Sequence, residues 1–335
     1  MLNKKEAFTS LEFLITLFVL LILAIGFTFF ITTSHRSIAK RTQSIGDKEK
    51  IDIVLDEVYK KIKEDNTPET DSRFDPIWDL DNTYIDGYHI SINALSGKIN
   101  LNYINPNIFI NSGFRSTLND NSSINSLKNI LDEKLLYTYE DVEEYISKEN
   151  FDKFFTFYGF ANINTIKDTA LEILVNKISN SFFGNEMVNR RKSLFSNKQY
   201  FQTETEFNMF CGIYYSDIFP YINLQPQLNV QFIEEDALRW FLESFNVSGS
   251  NQKANTLINL RNAQEIKEEN LWSILGLSKT DEVYYHLGCK TYAWQITISG
   301  RYLSCQIVLY RDITESSMNK PKFYIVEKKW QYIAK

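Results

Sequence analysis

The sequence predicts an α+β fold in which a long N-terminal helix, a few strands, a large helical insertion and a C-terminal antiparallel sheet follow one another. Three observations carry this. An apolar run from Phe8 to Ile31 is followed by Ile51, Val54, Leu55, Val58 and Ile62, which recur at helical spacing on a charged background. The middle of the chain repeats the 3.6-residue period in short segments, and the last fifty or so residues switch to period two.

The first element begins as a membrane span. Phe13 to Ile31 is 19 residues without a charge, about 29 Å of helix, which matches the hydrocarbon thickness of a bilayer. A secretory signal would be shorter and would end at a small-residue cleavage site; here the far end reads Phe29-Phe30-Ile31-Thr32. The single charge within Phe8–Ile31 is Glu12. A carboxylate at mid-membrane costs about 2.5 to 3.5 kcal/mol, and Glu12, one turn from the start, costs less. If the chain were cut after Ala7, the new amino group of Phe8 would lie about one turn from Glu12, and an acid in a first helical turn is favoured by the helix dipole. Against that orientation stands the charge count: His35, Arg36, Lys40 and Arg41 follow the span while Lys4 and Lys5 precede it, and the positive-inside rule prefers the richer side in the cytoplasm. No proline intervenes before Pro68, so the helix is expected over 8–63, about 84 Å. Two helices broken near Gly46 are the alternative, since glycine weakens a helix by about 1 kcal/mol relative to alanine.

Residues 64–103 are expected to form a linker and the first strands. The acidic stretch 64–87 carries Asp65, Asp71, Asp75, Asp79, Asp81 and Asp86, and the spacing of the last three lacks the regular alternation of a calcium-binding loop; the stretch reads as a solvated linker. Tyr88–Ile92 and Gly97–Asn102 read as two strands turning at Ser96-Gly97. The second has echoes in Ala161-Asn162-Ile163-Asn164-Thr165 and Tyr221-Ile222-Asn223-Leu224-Gln225, each leading towards an amphipathic helix. Thr165 is the expected N-cap of the first, and Glu234, Glu235 and Asp236 form the acidic first turn of the second.

Over 104–277 helices are expected near 127–133, 139–149, 167–183, 234–245 and 268–275, the last ending at Gly276. In 278–335 the alternation of Tyr292, Trp294, Ile296 and Ile298 is mirrored by Leu303, Cys305, Ile307 and Leu309. A two-residue turn at Ser299-Gly300 would set Ile296 opposite Leu303 and Trp294 opposite Cys305. A third strand from Phe323 would complete a meander. That register puts Cys289 near Tyr310, too far from Cys305 for a bridge. Three cysteines, with Cys211, allow one disulfide at most.

Chemistry is sparse. Net charge is -6 with both signs interspersed, which argues against a nucleic-acid footprint. His35, His89 and His286 are scattered, and no nucleophile-elbow, zinc-protease or phosphate-loop pattern occurs; the chain is not expected to be an enzyme. The aromatics, 19 Tyr and 25 Phe, would be recognition surface in an anchored binding module, although at strand spacing they read as core.

The N-terminal residues resemble a family. A short basic leader (Lys4, Lys5), a small residue (Ala7), then Phe8-Thr9-Ser10-Leu11-Glu12 and an apolar helix is similar to the signal of type IV pilins and pseudopilins. The resemblance implies that residues 1–7 are a leader removed between Ala7 and Phe8 by a prepilin peptidase, that Phe8 is then N-methylated, and that Glu12 neutralises a neighbouring subunit's amino terminus during filament assembly. The leader ends in Ala where the family usually has Gly. The order of elements, with Gly97–Asn102, Phe155–Leu174 and the run from Asn259 to Leu277, resembles the minor pseudopilin K of type II secretion systems, a pilin-like fold interrupted by a helical domain. That family typically lacks the Glu found here at position 12. The implied role is an inner-membrane subunit with a periplasmic head. It would join minor pseudopilins of the I and J type, the major pseudopilin and the inner-membrane assembly platform, and help start or cap a pseudopilus that drives protein secretion. No cofactor is expected beyond calcium, which the resemblance implies without assigning ligands. A minor pilin of a type IV pilus or competence system shares the N-terminal signal, and a signal-anchored periplasmic binding module is the remaining reading.

Overall fold

The computed structural model describes residues 4–65, 70–179, 182–312 and 322–333; within the first helix the side chains of 4–16, 19, 24 and 35–44 lie outside the description. Helix α1 (Lys4–Lys63) runs 60 residues without a break at Gly46, about 90 Å. The stripe at 51, 54, 55, 58 and 62 is buried while its charged neighbours stay in solvent.

Strands β1 (Thr83–Ile85) and β2 (Tyr88–Ala94) form a hairpin closed by Asp86 and Gly87, both at positive φ. Asp-Gly is the pair that such a two-residue turn favours. The expected hairpin across Ser96-Gly97 does not form. After β2 the chain makes a short 3-10 turn, and β3 (Ile99–Asn100) leaves for the helical block.

That block is three versions of one unit. The first spans β3, α2 (Ile124–Glu133), α3 (Lys148–Phe154) and β4 (Phe155–Thr156). The second runs through β5 (Ala161–Asn162), α4 (Asp168–Ser179), α5 (Phe183–Phe195), α6 (Glu204–Cys211), α7 (Tyr215–Ile218) and β6 (Ile222–Asn223). The third comprises β7 (Leu228–Asn229), α8 (Glu235–Ser244), α9 (Ser250–Ala263), α10 (Glu268–Leu275) and β8 (Leu287–Gly288). Each opens and closes on a two-residue parallel ladder, β3 with β4, β5 with β6 and β7 with β8.

At the start of each unit an asparagine (Asn100, Asn162, Asn229) accepts a hydrogen bond from the backbone two residues on, the local turn for which asparagine is suited. The residue at that second position then clasps a connection between the unit's helices, after α2 in the first unit and after α5 in the second. Asn102 exchanges two bonds with the Leu136 backbone, and Asn164 does so with Phe201, all at 2.7–2.9 Å. In the third unit the position is Gln231, whose amide atoms are buried with no hydrogen-bond partner among the described residues. Buried Arg191 and Arg261 donate to the carbonyls of Ile163 and Val230, the middle residues of their turns, at 3.0 Å.

The sequence echo at Asn223 therefore marks the closing strand of the second unit; the third unit opens six residues later. Thr165 is no cap, since its hydroxyl has no hydrogen-bond partner. The helix expected over 139–149 is a 3-10 turn, Tyr139–Asp141, followed by an isolated bridge between Ile146 and Leu118.

Strands β9 (Ala293–Ser299), β10 (Leu303–Arg311) and β11 (Phe323–Tyr332) complete an antiparallel sheet of order β1-β2-β9-β10-β11. Ile307 faces Ile296 and Cys305 faces Ile298, four residues away from the expected register because the β9–β10 connection is longer, with Gly300 N–H bonding to the Leu303 carbonyl at 2.8 Å. An even slip keeps every side chain on its face, so the predicted buried faces survive. The C-terminal half of α1 packs on one face, joining Ile90, Ile92, Trp294, Ile296, Ile307 and Leu309 in one core. The second unit covers part of the other through Phe160 against Tyr310, ring centroids 5.1 Å apart.

Candidate functional site: an exposed apolar helix and the buried junction behind it

Helix α1 has two halves of opposite character. Between Leu17 and Ile31 the described large apolar side chains stand in solvent on every side of the helix: Phe18 is 65% exposed, Leu23 62% and Phe29 71%. From Ile51 onward the stripe is buried. Five aliphatic side chains at about 1.5 to 3 kcal/mol each give roughly 10 kcal/mol for this contact, an upper figure because the unfolded chain already buries some of the surface. Polar contacts fix the helix from both ends of the sheet: the Tyr88 hydroxyl donates to Asp47 at 2.6 Å, Lys328 pairs with Asp52, and the Lys48 ammonium lies 5.3 Å from the Trp330 ring centroid. Ala7, Phe8 and Glu12 lie on the α1 backbone, and their side chains are outside the described ones. Among the described residues no helix is long and apolar enough to cross a membrane; the side chains of the run from Phe8 to Ile31 are only partly among the described ones.

The acidic stretch after α1 is not a solvated linker. Thr70, Asp71, Ser72 and Asp75 are buried, threaded between the sheet and the third helical unit. Asp71 is the centre. Its backbone N–H donates to the Cys289 carbonyl at 2.7 Å, its carbonyl accepts from Asn229 at 3.0 Å, and its carboxylate accepts from Thr291 N–H at 2.7 Å and from the Arg311 guanidinium. Arg311 in turn lies 5.2 Å from the Trp294 ring centroid and 5.8 Å from that of Phe323. Arginine suits this place, being planar and weakly hydrated. One residue, Asp71, thus ties α1's exit, the last strands and the third unit together, through its backbone and its carboxylate.

Burial pushes the Asp71 carboxyl up, with Arg311 pulling the other way. Asp75 is raised as well, to about 7: burial raises it, hydrogen bonds from Ser72 (N–H 2.7 Å, hydroxyl 3.0 Å) oppose, and the neighbouring Asp71 adds to the rise. Ligand atoms of Asp65, Asp71 and Asp75 lie within 4.8 Å of one another. Such an oxygen-only set is of the kind that hard cations take, and Asp71 adds to the rise of Asp75 as one carboxylate beside another. Protonation of Asp75 relieves that repulsion, and the oxygens of Asp71 and Asp75 are already engaged by Thr291, Arg311 and Ser72. Asp79, Asp81 and Asp86 do not converge on this point. Asp81 accepts from Ile92 N–H at 2.7 Å and so braces the β1–β2 hairpin.

The remaining candidate chemistry is structural. His286 is buried between Phe241 and Phe245, centroids 5.3 and 5.0 Å away, with neither ring nitrogen hydrogen-bonded. His89 lies on β2 with its ring 5.1 Å from that of Tyr84. The three cysteines are buried and free; burial pushes the Cys211 thiol up to about 12 and Cys305 up to about 11, away from the thiolate a nucleophile needs. Sequence reasoning missed Asp71 and Arg311 as partners. The one signal was a charged residue closing the apolar strand Ile307–Tyr310.

No family model matches the chain, and no curated protein does. Among solved structures, it is similar to the GspK-GspI-GspJ complex of the type 2 secretion system from enterotoxigenic Escherichia coli. The match covers 88% of this chain and 100% of that one, at 10% sequence identity and a TM-score of 0.35.

Proposed function

We propose that this chain is a minor pseudopilin-like structural subunit, anchored by the first half of α1 in an inner membrane and carrying a periplasmic head. The observation that carries the reading is the division of one unbroken helix: between Leu17 and Ile31 the described side chains are apolar and exposed on all sides, and from Ile51 the helix is amphipathic and packed on an antiparallel sheet. A helix apolar all round suits lipid or a filament core, whereas a striped helix suits a globular surface. The Ala7-Phe8 junction and Glu12 add the resemblance to a processed and methylated prepilin. In this role Glu12 aligns the subunit against a neighbour's amino terminus, the apolar half moves from lipid into the filament, and the helical block decides where in the filament the subunit fits. Other minor pseudopilins, the major pseudopilin, a prepilin peptidase and an assembly platform are its partners, and protein secretion is the process served.

The test is the intact mass of the N-terminal peptide of the protein isolated from its own membranes. A mature terminus at Phe8 bearing one methyl group is expected. Retention of Met1 to Ala7 would sink the reading and leave a signal-anchored binding module.

A further inference from the structure

The second helical unit carries a cleft that the assembly role leaves unused. It has a volume of about 580 Å³ and lies between α5 and α6, closed at one end by Lys279 and Thr280. Its floor is apolar, built from Leu194, Phe201 and Phe210. At its lip Met209 is 70% exposed. An exposed apolar side chain contiguous with an apolar floor extends one patch, and contiguous patches mark interaction sites.

The rim is basic. Arg190, Lys198 and Lys279 line the cleft and are exposed, and none of the three is in an ion pair among the described residues. Arg190 lies over the Phe210 ring, 4.8 Å from its centroid, at the boundary between floor and rim. The acid of the lining, Glu206, accepts from the backbone N–H groups of Gln202 at 2.7 Å and Thr203 at 3.3 Å, closing the capping box of α6. Its charge is directed at the helix terminus. Three cations against the one acid, Glu206, leave the lining of this apolar slot net positive in a chain of net charge -6. Complementarity of that kind selects partners and orients them.

We infer that this cleft docks an acidic amphipathic segment of a partner protein, its apolar face seated on Leu194, Phe201 and Phe210 and its carboxylates meeting Arg190, Lys198 and Lys279. The inference goes beyond the proposed assembly role and does not require it. A helix laid in a groove is read through apolar anchors at i, i+3, i+4 and i+7, and the cleft's apolar floor between α5 and α6 is what such anchors would meet.

The probe is a fluorescein-labelled peptide of about 16 residues with leucine and phenylalanine at that spacing and glutamate elsewhere; its twin carries lysine for each glutamate. With the full chain in zwitterionic lipid nanodiscs, anisotropy is expected to give the glutamate peptide an affinity at least about tenfold higher than its twin, a difference that shrinks with added salt. Met209→Glu should weaken the glutamate peptide about tenfold, and the Lys198→Glu/Lys279→Glu pair should reverse the preference. All three positions are exposed, so an unchanged thermal melt is the control for folding. Equal affinity of the two peptides, no affinity for either, or binding indifferent to the variants would overturn the inference. A concentration-dependent dimer abolished by Met209→Glu would also overturn it, by giving the cleft to a second copy of this chain.

Discussion

Arg311 pairs with Asp71 across 240 positions of sequence, and both side chains are about 95% buried. A buried pair of this kind adds little net stability over a well-packed apolar substitute, but each partner left alone is costly. Arg311→Met on its own should therefore cost about 3 to 5 kcal/mol, because Asp71 keeps a buried charge that Thr291 N–H alone cannot balance. Adding Asp71→Asn to that variant should recover most of the loss, since Asn still accepts from Thr291. Urea unfolding of the two single variants and the double closes the cycle, and simple additivity would show that the two residues are not coupled.

Asp75 gives the fold a pH dependence of unusual sign. A carboxyl whose pKa rises from 3.8 to about 7 on folding binds its proton more tightly in the folded state. The stability this contributes is full below about pH 4 and is lost as pH climbs through about 7. The difference amounts to at most about 4 kcal/mol. The head should thus melt higher at pH 5 than at pH 8, and Asp75→Asn, which keeps an acceptor for Ser72, should flatten that slope. A slope unchanged in Asp75→Asn would move the effect to another group.

The three helical units allow an internal comparison. Asn164→Ala strands the Phe201 N–H and carbonyl that the amide now satisfies and should cost about 2 to 3 kcal/mol. Gln231→Leu at the matching position of the third unit removes two buried polar atoms that have no hydrogen-bond partner among the described residues and should be neutral or stabilising. Thermal melts of both variants check this; an equal loss from each would mean that Gln231 makes the same clasp.

How much was legible in the sequence follows from where each interaction's partners sit. The α1 stripe was read correctly because Ile51 to Ile62 lie on one helix, and the sheet faces because alternation is local. Helices α5 and α9 were missed because their buried positions are chemically mixed: in α9 they are Ala254, Leu257, Ile258 and Arg261, and an arginine does not read as core until its carbonyl partners at Val230 and Ile233 are known. The β9–β10 register slipped by four because Gly300 suggested a two-residue turn, while the observed connection is longer. Asp71 was taken for a linker residue because nothing near it in sequence names Arg311. Glu12, Phe8 and Ala7 rest on the sequence and its resemblance.

The sheet order has its own consequence. Strands β2 and β9 are hydrogen-bonded neighbours, with Ala94 opposite Trp294, although the whole helical block lies between them in the chain. From the sheet's side, Leu95 to Ala293 is the connection of one hairpin. An unstructured loop of that length would raise the closure cost of the β2–β9 pairing by about 3 to 4 kcal/mol over a four-residue turn. The block avoids this by bringing its own two ends together: the Tyr292 N–H donates to the Ser96 hydroxyl at 3.0 Å, and the third unit's ladder ends at Gly288, just before β9. A cargo of helices carried this way could be shortened, lengthened or exchanged by whole units while the strands on either side keep their places.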